Sequence, residues 1–374
     1  MKINICGDFT TVGRGIEAVE QKTAISDAII DLFKSSDINI VNLESPVVTD
    51  SNYAIKKSGP NIFTSKITIE YLQQCNVNLV TLANNHFYDY GKHGIEQTIT
   101  TLNSNNIKYI GGGLTPKEFS KIFYYEKDSI RIAILNYCES EFSVLEGLGC
   151  NPINSIQIYR DLQIAKKYSD FRIVICHGGH EGYQLPSPQM KDLFHFLIEA
   201  GANIVCNHHQ HCYSGFEEYN KGKIFYGLGN FFFDDHRPLR QRSPIWNYGY
   251  IVSLDINSKG INTTILPYKQ CLDTLNTVLL KDTEKISVLN DIEIFSNIIS
   301  NDLELSKAYN NWCSKQQGNV LTWFSPYNNR LLQALCRRNL LPNFLYSKKK
   351  LQLYNILRCD SHRNLAINLL KKWI

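Results

Sequence analysis

The sequence predicts an α/β protein with a largely parallel sheet, and two observations support this fold class. Over the first 206 residues, short apolar, β-branched runs alternate with amphipathic stretches of helical length. Such alternation is typical of βαβ units, in which helices cover the faces of a parallel sheet. After residue 220 the apolar runs follow one another with short turns, which indicates added antiparallel strands.

The alternating part contains six predicted strands. They are 2–6, 38–41, 78–82, 131–135, 172–176 and 203–206. The predicted helices between them are 16–34, 65–75, 92–104, 157–168 and 189–200. The last helix is the best marked, because Ser187 can cap it, Pro188 fits its first turn and Gly201 can end it.

The rest of the chain predicts strands first and helices afterwards. Strands are predicted over 223–233, 248–256 and 260–268, with a turn at Gly229 and Asn230. From about residue 270 the pattern is helical, with the best segments at 283–300, 328–341 and 361–374. We therefore predict a domain over 1–268 and a helical, basic C-terminal extension over 269–374.

Charge is distributed unevenly along the chain. The 374 residues carry a net charge of +4, yet residues 301–374 contain 12 Lys/Arg and only 3 Asp/Glu. Two interpretations of this basic segment remain open. It is either a solvated helical surface or a docking element for an anionic polymer, a lipid surface or a partner enzyme. We expect no specific nucleic-acid partner.

Cysteine usage and hydrophobic runs bear on localisation. The 11 cysteines form no CxxC pair, which indicates reduced thiols. Gly7 and Asp8 interrupt the first apolar stretch, which is therefore shorter than the apolar region of a signal peptide. No apolar run approaches the roughly 18 residues of a membrane span. The sequence therefore predicts a cytoplasmic protein without a transmembrane segment.

Residues that bind metals or transfer protons follow five of the predicted strands. In chain order they are Asp8 and Arg14; Asn42 and Glu44; Asn84, Asn85, His86 and Asp89; His177, His180 and Glu181; and His208, His209 and His211. Ligands bind outside the carboxyl ends of the strands in open α/β sheets. We therefore expect these side chains to converge at one edge of one sheet.

The residue types indicate a transition-metal site. Carboxylates, an amide and several imidazoles suit Mn²⁺, Zn²⁺ or Fe better than Mg²⁺. The set is large enough for two ions and a bridging carboxylate, an arrangement that activates a hydroxide nucleophile for displacement at phosphorus. Such a reaction also needs a proton donor that is not a ligand, and His86 could supply it.

The ordered motifs resemble a known family. Gly7-Asp8, NLESP, NNHFYDYG, HGGHEGYQLPSP, GANIVCNHHQH and IFYGLGNFFFD together resemble the CapA family of poly-γ-glutamate capsule biosynthesis proteins. That family is itself similar to calcineurin-like metallophosphoesterases. The resemblance implies a metallophosphoesterase-like α/β sandwich, with mixed central sheets flanked by helices and followed by a helical C-terminal extension.

The resemblance also assigns roles to individual residues. The positions matched to ligands of one or two divalent ions are Asp8, Glu44 (as the bridge), Asn85, His177, His209 and His211. His86 matches the proton donor; apart from the resemblance, we also place Asp89 and Arg14 in the catalytic set. Asn42, Asn84, His180 and Glu181 are expected around the ligands or the substrate. The family's phosphoesterase relatives have histidine where this chain has Thr10, which leaves the number of bound ions open.

Structural roles remain as alternatives for some of these residues. Asp8 could cap a helix, Glu44 could cap a turn and His86 could tie its own loop. Arg14 could clamp an anionic group or simply lie on the surface.

The functional prediction is a metal-dependent hydrolase, of the phosphoesterase type, that makes or tailors a capsule or surface polymer. Its substrate would be a phosphorylated or anionic polymer or saccharide. One alternative is an amide hydrolase or transferase acting on a γ-glutamyl polymer. Another is a non-catalytic, polymer-binding component that docks capsule-synthesis enzymes through its basic C-terminal region. Substrate specificity is expected in the loops 50–64, 139–156 and 234–248.

Overall fold

The structure is a computed structural model that describes residues 1–57, 59–234, 244–323, 329–342 and 347–358. It divides into two compact units, Met1–Leu305 and Ser306–Ile374. The domain boundary after residue 268 stays a prediction, although the last long strand continues to Gln270 and the first unit continues to Leu305. The predicted final helix, 361–374, lies outside the described residues.

The strands that the structure describes all lie in the first unit. They are β1 (Lys2–Phe9), β2 (Ile38–Leu43), β3 (Leu79–Thr81), β4 (Lys108–Ile110), β5 (Gly112–Gly113), β6 (Phe123–Lys127), β7 (Ile130–Cys138), β8 (Gly149–Cys150), β9 (Phe171–His177), β10 (Ile204–His208), β11 (Phe216–Tyr219), β12 (Gly222–Phe225), β13 (Asn230–Phe232), β14 (Tyr248–Asn257), β15 (Gly260–Gln270) and β16 (Thr277–Leu279).

The helices include most of those that the sequence predicts. They are α1 (Gly15–Glu20), α2 (Asp27–Lys34), α3 (Lys66–Gln74), α4 (Gly91–Ser104), α5 (Pro116–Phe119), α6 (Ser155–Tyr168), α7 (Pro188–Glu199), α8 (Asp282–Ser300), α9 (Asp302–Trp323), α10 (Arg330–Arg337) and α11 (Ser347–Arg358). The Ser187 hydroxyl caps α7 as expected, accepting a hydrogen bond from the Met190 N–H at 3.1 Å. None of the described helices has the length and hydrophobicity that a membrane-spanning segment requires.

Two mixed sheets form the centre of the first unit. The first sheet has the order β16-β15-β14-β1-β2-β3-β4, with β13 paired to β1. Its β1–β4 are parallel, whereas β14 joins β1 antiparallel. The second sheet has the order β11-β12-β10-β9-β7-β6, and β7, β9, β10 and β12 in it are parallel.

The hydrophobic core is layered between and outside these sheets. Ile5 and Ile40 of the first sheet pack with Ile134 and Ile175 of the second, because alternate residues of a strand face opposite sides. Val41, next to Ile40, faces the other way into a second apolar cluster with α2, α3 and α4. Helices α6 and α7 contact the second sheet. The predicted α/β sandwich with mixed sheets and flanking helices is therefore confirmed.

The single helix predicted over 16–34 was wrong, because the chain breaks there into α1 and α2. Lys22 adopts a left-handed backbone conformation (φ 60°) that ends the helical path. The segment then pairs with β16, as the N–H of Thr277 donates to Ala24 O at 2.8 Å and the N–H of Ser26 donates to Thr277 O at 3.1 Å. A distant strand therefore overrides the local helical pattern.

The single strand predicted over 223–233 was also wrong. Its first part is β12 in the second sheet, and its last part is β13 in the first sheet. Gly229 makes the predicted turn with φ 79°, but Asn230 belongs to β13. The segment that crosses from β12 to β13 passes very close to β1. A Cβ on Gly7 of β1 would lie 1.8 Å from the carbonyl oxygen of Gly229, so only glycine fits at position 7.

Candidate metal centre and active site

Polar residues from five strand ends meet where the two sheets adjoin. Asp8 is near the end of β1 and Glu44 directly follows β2, both in the first sheet, whereas His177 and His208 end β9 and β10 of the second. The expectation that these ends share one sheet was wrong. The parallel strands of both sheets instead present their carboxyl ends to a common site.

Two groups of buried donor atoms share one carboxylate. Asp8, Glu44 and His211 form one group, and Glu44, His177 and His209 form the other. Within each group the possible ligand atoms all lie within 4.8 Å of one another. Nε2 of His177 is 3.5 Å from Glu44 Oε1, and Nε2 of His211 is 3.6 Å from the same oxygen.

Glu44 lacks the partners that a buried carboxylate normally has. Its side chain is fully buried, and neither oxygen has a hydrogen-bond partner among the described residues. Burial, followed by the charge of Asp8, raises the pKa of Glu44 well above its usual value. Because buried polar groups are normally satisfied, two buried carboxylate oxygens without a hydrogen-bond donor suit coordination of a cation. The donor set therefore fits one or two divalent ions, with Glu44 common to both groups.

Asp8 and His211 form a charged pair in the protein without metal. Burial alone would raise the pKa of Asp8, but its hydrogen bond with His211 and the surrounding histidines lower it instead. Burial opposes the charge on His211, yet Glu44 and Asp8 raise its pKa to about 10. Nδ1 of His211 lies 3.4 Å from Asp8 Oδ2. A metal ion that binds Nε2 of His211 must displace the proton that the charged imidazole carries on that atom.

His209 and His211 adopt backbone conformations that non-glycine residues rarely use. Their φ angles are 84° and 55°. Such conformations persist where the surrounding structure enforces them, often at functional sites. His208, the last residue of β10, lies in neither donor group; its Nε2 donates to Cys6 O at 2.9 Å and ties β10 to β1.

Three asparagines hold the candidate ligands in place. Nδ2 of Asn42 donates to Asp8 Oδ1 at 2.7 Å, and Oδ1 of Asn85 lies 3.1 Å from His177 Nε2. Asn84 donates to Leu43 O at 2.9 Å and so ties the loop after β3 to β2. The structure thus brings Asn85 to the donor groups, with Asn42 and Asn84 beside them.

His86 belongs to a buried charged cluster next to the donor groups. Its Nδ1 is 2.7 Å from Asp89 Oδ2, and Oδ1 of Asp89 contacts the ammonium group of Lys57. The Lys57 side chain is only 2% exposed, and its Nζ is 3.3 Å from His86 Nδ1. The backbone N–H of Ile62 completes the cluster by donating to Asp89 Oδ2 at 2.8 Å.

Arg14, His180 and Glu181 belong to neither donor group. Nε and Nη2 of Arg14 donate to the two oxygens of Asp234 at 3.0 and 2.9 Å, so this guanidinium binds a protein carboxylate. His180 is half-buried, and burial lowers its pKa. Glu181 is exposed; burial and the charge of His211 lower the pKa of His209 to about 4, and the charge of Glu181 opposes that shift.

Sequence analysis missed Lys57, Glu141 and Asn230. Oε1 of Glu141 lies 3.7 Å from His209 Nε2, and Oδ1 of Asn230 lies 2.8 Å from His211 Nδ1. Because an amide oxygen only accepts hydrogen bonds, His211 Nδ1 carries the hydrogen and Nε2 faces Glu44. Asn230 follows a glycine turn after a strand, a signal that resembles the other site motifs. Lys57 and Glu141 lie in loops without such a signal.

Comparison with known proteins identifies the family. Residues 2–235 match the model described as "Bacterial capsule synthesis protein PGA_cap". The chain belongs to the PGA_cap family. This confirms the family that the motifs predicted.

Two curated relatives of this PGA_cap chain come from Bacillus. "Capsule biosynthesis protein CapA" of Bacillus anthracis is 31% identical over 211 residues, which are 54% of this chain and 51% of the relative. "PGA biosynthesis protein CapA" of Bacillus subtilis (strain 168) is 31% identical over 242 residues, 63% of each chain. The chain thus spans about half to under two thirds of the length of these relatives. A putative 5'-nucleotidase from Staphylococcus aureus gives a TM-score of 0.41 at 11% identity, covering 78% of this chain and 58% of that one.

Proposed function

We propose that the chain is a metal-dependent phosphoesterase that acts in the synthesis of a capsule or another surface polymer. The observation that supports this most directly is Glu44, which belongs to both donor groups and whose two buried oxygens have no hydrogen-bond partner among the described residues. A carboxylate shared by two ions is the arrangement used for displacement at phosphorus. Membership of the PGA_cap family supports the role in capsule synthesis.

We assign metal binding to the donor groups and orientation of the ligands to neighbouring residues. The proposed ligands of one or two Mn²⁺, Zn²⁺ or Fe ions are Asp8, Glu44, Asn85, His177, His209 and His211. When bound, the ions supply Lewis acidity to the phosphoryl group and to a water nucleophile. Asn42 orients Asp8, and Asn230 orients His211.

The leaving oxygen of the ester requires a proton, and His86 is the proposed donor. Asp89 fixes the His86 ring through its Nδ1 atom, which leaves Nε2 for the substrate. Lys57 contacts the other oxygen of Asp89 and thereby holds the carboxylate. These contacts support an acid catalyst that is held in one orientation.

Metal content and hydrolysis, measured together, test this function. The full chain, purified without chelators, would be compared with a His209→Ala/His211→Ala variant and with His93→Ala, a control in α4. We expect the native protein and the control to bind metal and release nitrophenol from 4-nitrophenyl phosphate, and the double variant to lose both properties. Release of nitroaniline from γ-glutamyl-4-nitroanilide alone would favour an amide hydrolase. Bound metal without hydrolysis of either probe would contradict an enzymatic role, and absence of bound metal would overturn the proposed site.

A further inference from the structure

A cavity of about 710 Å³ adjoins the candidate metal centre. Phe233 and Trp246 line it, and both rings also pack against the ring of His211, with centroid distances of 5.3 and 4.7 Å. The rings of Phe233 and Trp246 contact each other at 5.0 Å. One lining surface of the cavity is therefore in direct contact with a proposed metal ligand.

Another lining segment is connected to the proposed proton donor. Residues 60–65 line the cavity, and the backbone N–H of Ile62 within them donates to Asp89, the partner of His86. The cavity is thus linked both to a ligand of the metal and to the group that would protonate a leaving oxygen. The alcohol part of an ester needs this location, because its oxygen must reach both.

Among the lining residues that the structure describes, the surface is largely apolar and carries no positive charge. Aliphatic and aromatic side chains supply half of it, and the indole N–H of Trp246 is already bonded to Phe233 O at 3.0 Å. Glu181 and Asp234 are the charged residues among the lining residues, and Arg14 already binds Asp234. At these described residues a polyanionic chain would meet two carboxylates and no lysine or arginine, whereas an apolar group gains from leaving water.

We propose that this cavity binds the alcohol part of the substrate, and that this alcohol is uncharged and largely apolar. The substrate would then be a phosphate ester of an alkyl or aryl alcohol rather than a phosphorylated polyanion. The volume is in the range of cavities that enclose a small ligand, roughly 300–1,000 Å³. This inference rests on the proposed phosphoesterase function and narrows its substrate class.

A series of alkylphosphonates, from methyl to octyl, tests the cavity independently of hydrolysis. Binding to the metal-loaded full chain would be measured by isothermal titration calorimetry. Each buried methylene should tighten binding about fourfold, until the chain fills the cavity. The corresponding alkyl phosphates should show a similar gradient in kcat/KM.

Two cavity variants and one control make the test specific. Ile16→Trp places bulk in the cavity, and Phe63→Asp, at a side chain that is 42% exposed, adds charge with little risk to folding. Both should abolish the dependence on chain length, whereas Ile164→Trp on the exposed face of α6 should retain it.

Affinity independent of chain length in the native protein, or tighter binding of a phosphorylated glutamyl peptide than of octylphosphonate, would overturn the inference. Chain-length-dependent binding without hydrolysis of any ester would support the cavity and refute only the phosphoesterase function.

Discussion

Asn230 accepts a hydrogen bond from His211 Nδ1 at 2.8 Å and thereby turns Nε2 of this histidine toward Glu44. The backbone of Asn230 is paired with that of Asp8, so one residue of β13 is joined to two candidate ligands. The contact fixes both the tautomer and the orientation of the imidazole.

Loss of the Asn230 amide should weaken metal binding. We expect Asn230→Ala to lower metal affinity about 10- to 100-fold, because contacts that orient a ligand have effects of this size. Affinity would be measured by competition with a fluorescent chelator. Asn262→Ala, at an exposed position of β15, serves as the control. Equal affinities in the two variants would show that Asn230 does not orient His211.

Removal of Lys57 should lower both the stability of the protein and its catalytic rate, and a second substitution should restore only the stability. Lys57→Met leaves the buried Asp89 carboxylate without its cation, and breaking a buried pair in this way costs about 3–5 kcal/mol of stability. Lys57→Met/Asp89→Asn removes both charges and should recover much of that loss, as measured by chemical denaturation. The rate should stay low in both variants, most of all for alkyl phosphates, whose poor leaving groups need the proton. Lys56→Met, at the exposed neighbouring position, is the control. Full activity of the double variant would exclude a positioning role for this pair.

Stability should depend on pH in opposite ways with and without metal. The pKa of His211 is raised to about 10, so its charged form stabilises the metal-free protein below its unfolded pKa of about 6.5. That contribution is lost as the pH rises from 6.5 through 10. The raised pKa of Glu44 acts in the same direction. Metal binding instead strengthens as the pH rises, since protons leave the ligands. Thermal melts from pH 6 to 9, with EDTA and with Mn²⁺, should therefore diverge; parallel curves would contradict the assigned protonation states.

Position 7 should tolerate no side chain. Gly7→Ala brings a Cβ to 1.8 Å from Gly229 O, so β1 and the crossing segment must separate. We expect a loss of unfolding free energy of about 3 kcal/mol or more, together with weaker metal binding because Asp8 is the next residue. Urea denaturation and metal titration measure the two effects. Native stability in this variant would show that the crossing segment can shift without cost.

Local patterns in the sequence predicted the elements that depend on local physics. The helices α4, α6 and α7 and the strand ends near Asp8, Glu44 and His177 follow from periodicity and from polar residues after apolar runs. The break between α1 and α2 depends on pairing with β16, more than 240 residues away along the chain. Periodicity carries no information about such a partner.

The same distinction applies to the site. Residues that end strands were identified, whereas Lys57 and Glu141 reach the site from loops whose paths only tertiary packing determines. The assignment of all strand ends to one sheet failed for a related reason, because a run of β-branched residues does not specify which sheet it joins. For Asn230, the surrounding motif could be recognised in the sequence, but its position in β13 of the first sheet could not be predicted.

The donor set is divided by chemical type between the two sheets. Its carboxylates, Asp8 and Glu44, lie at the ends of strands of the first sheet, and its imidazoles, His177, His209 and His211, lie at or just after the ends of strands of the second. A cation held by both types would cross-link the two halves of the sandwich at the edge where neither sheet alone has a complete ligand set. Amide hydrogen exchange in β1 and β10 would then slow together when metal is added. The ion would stabilise the association of the two sheets in addition to its proposed role in catalysis.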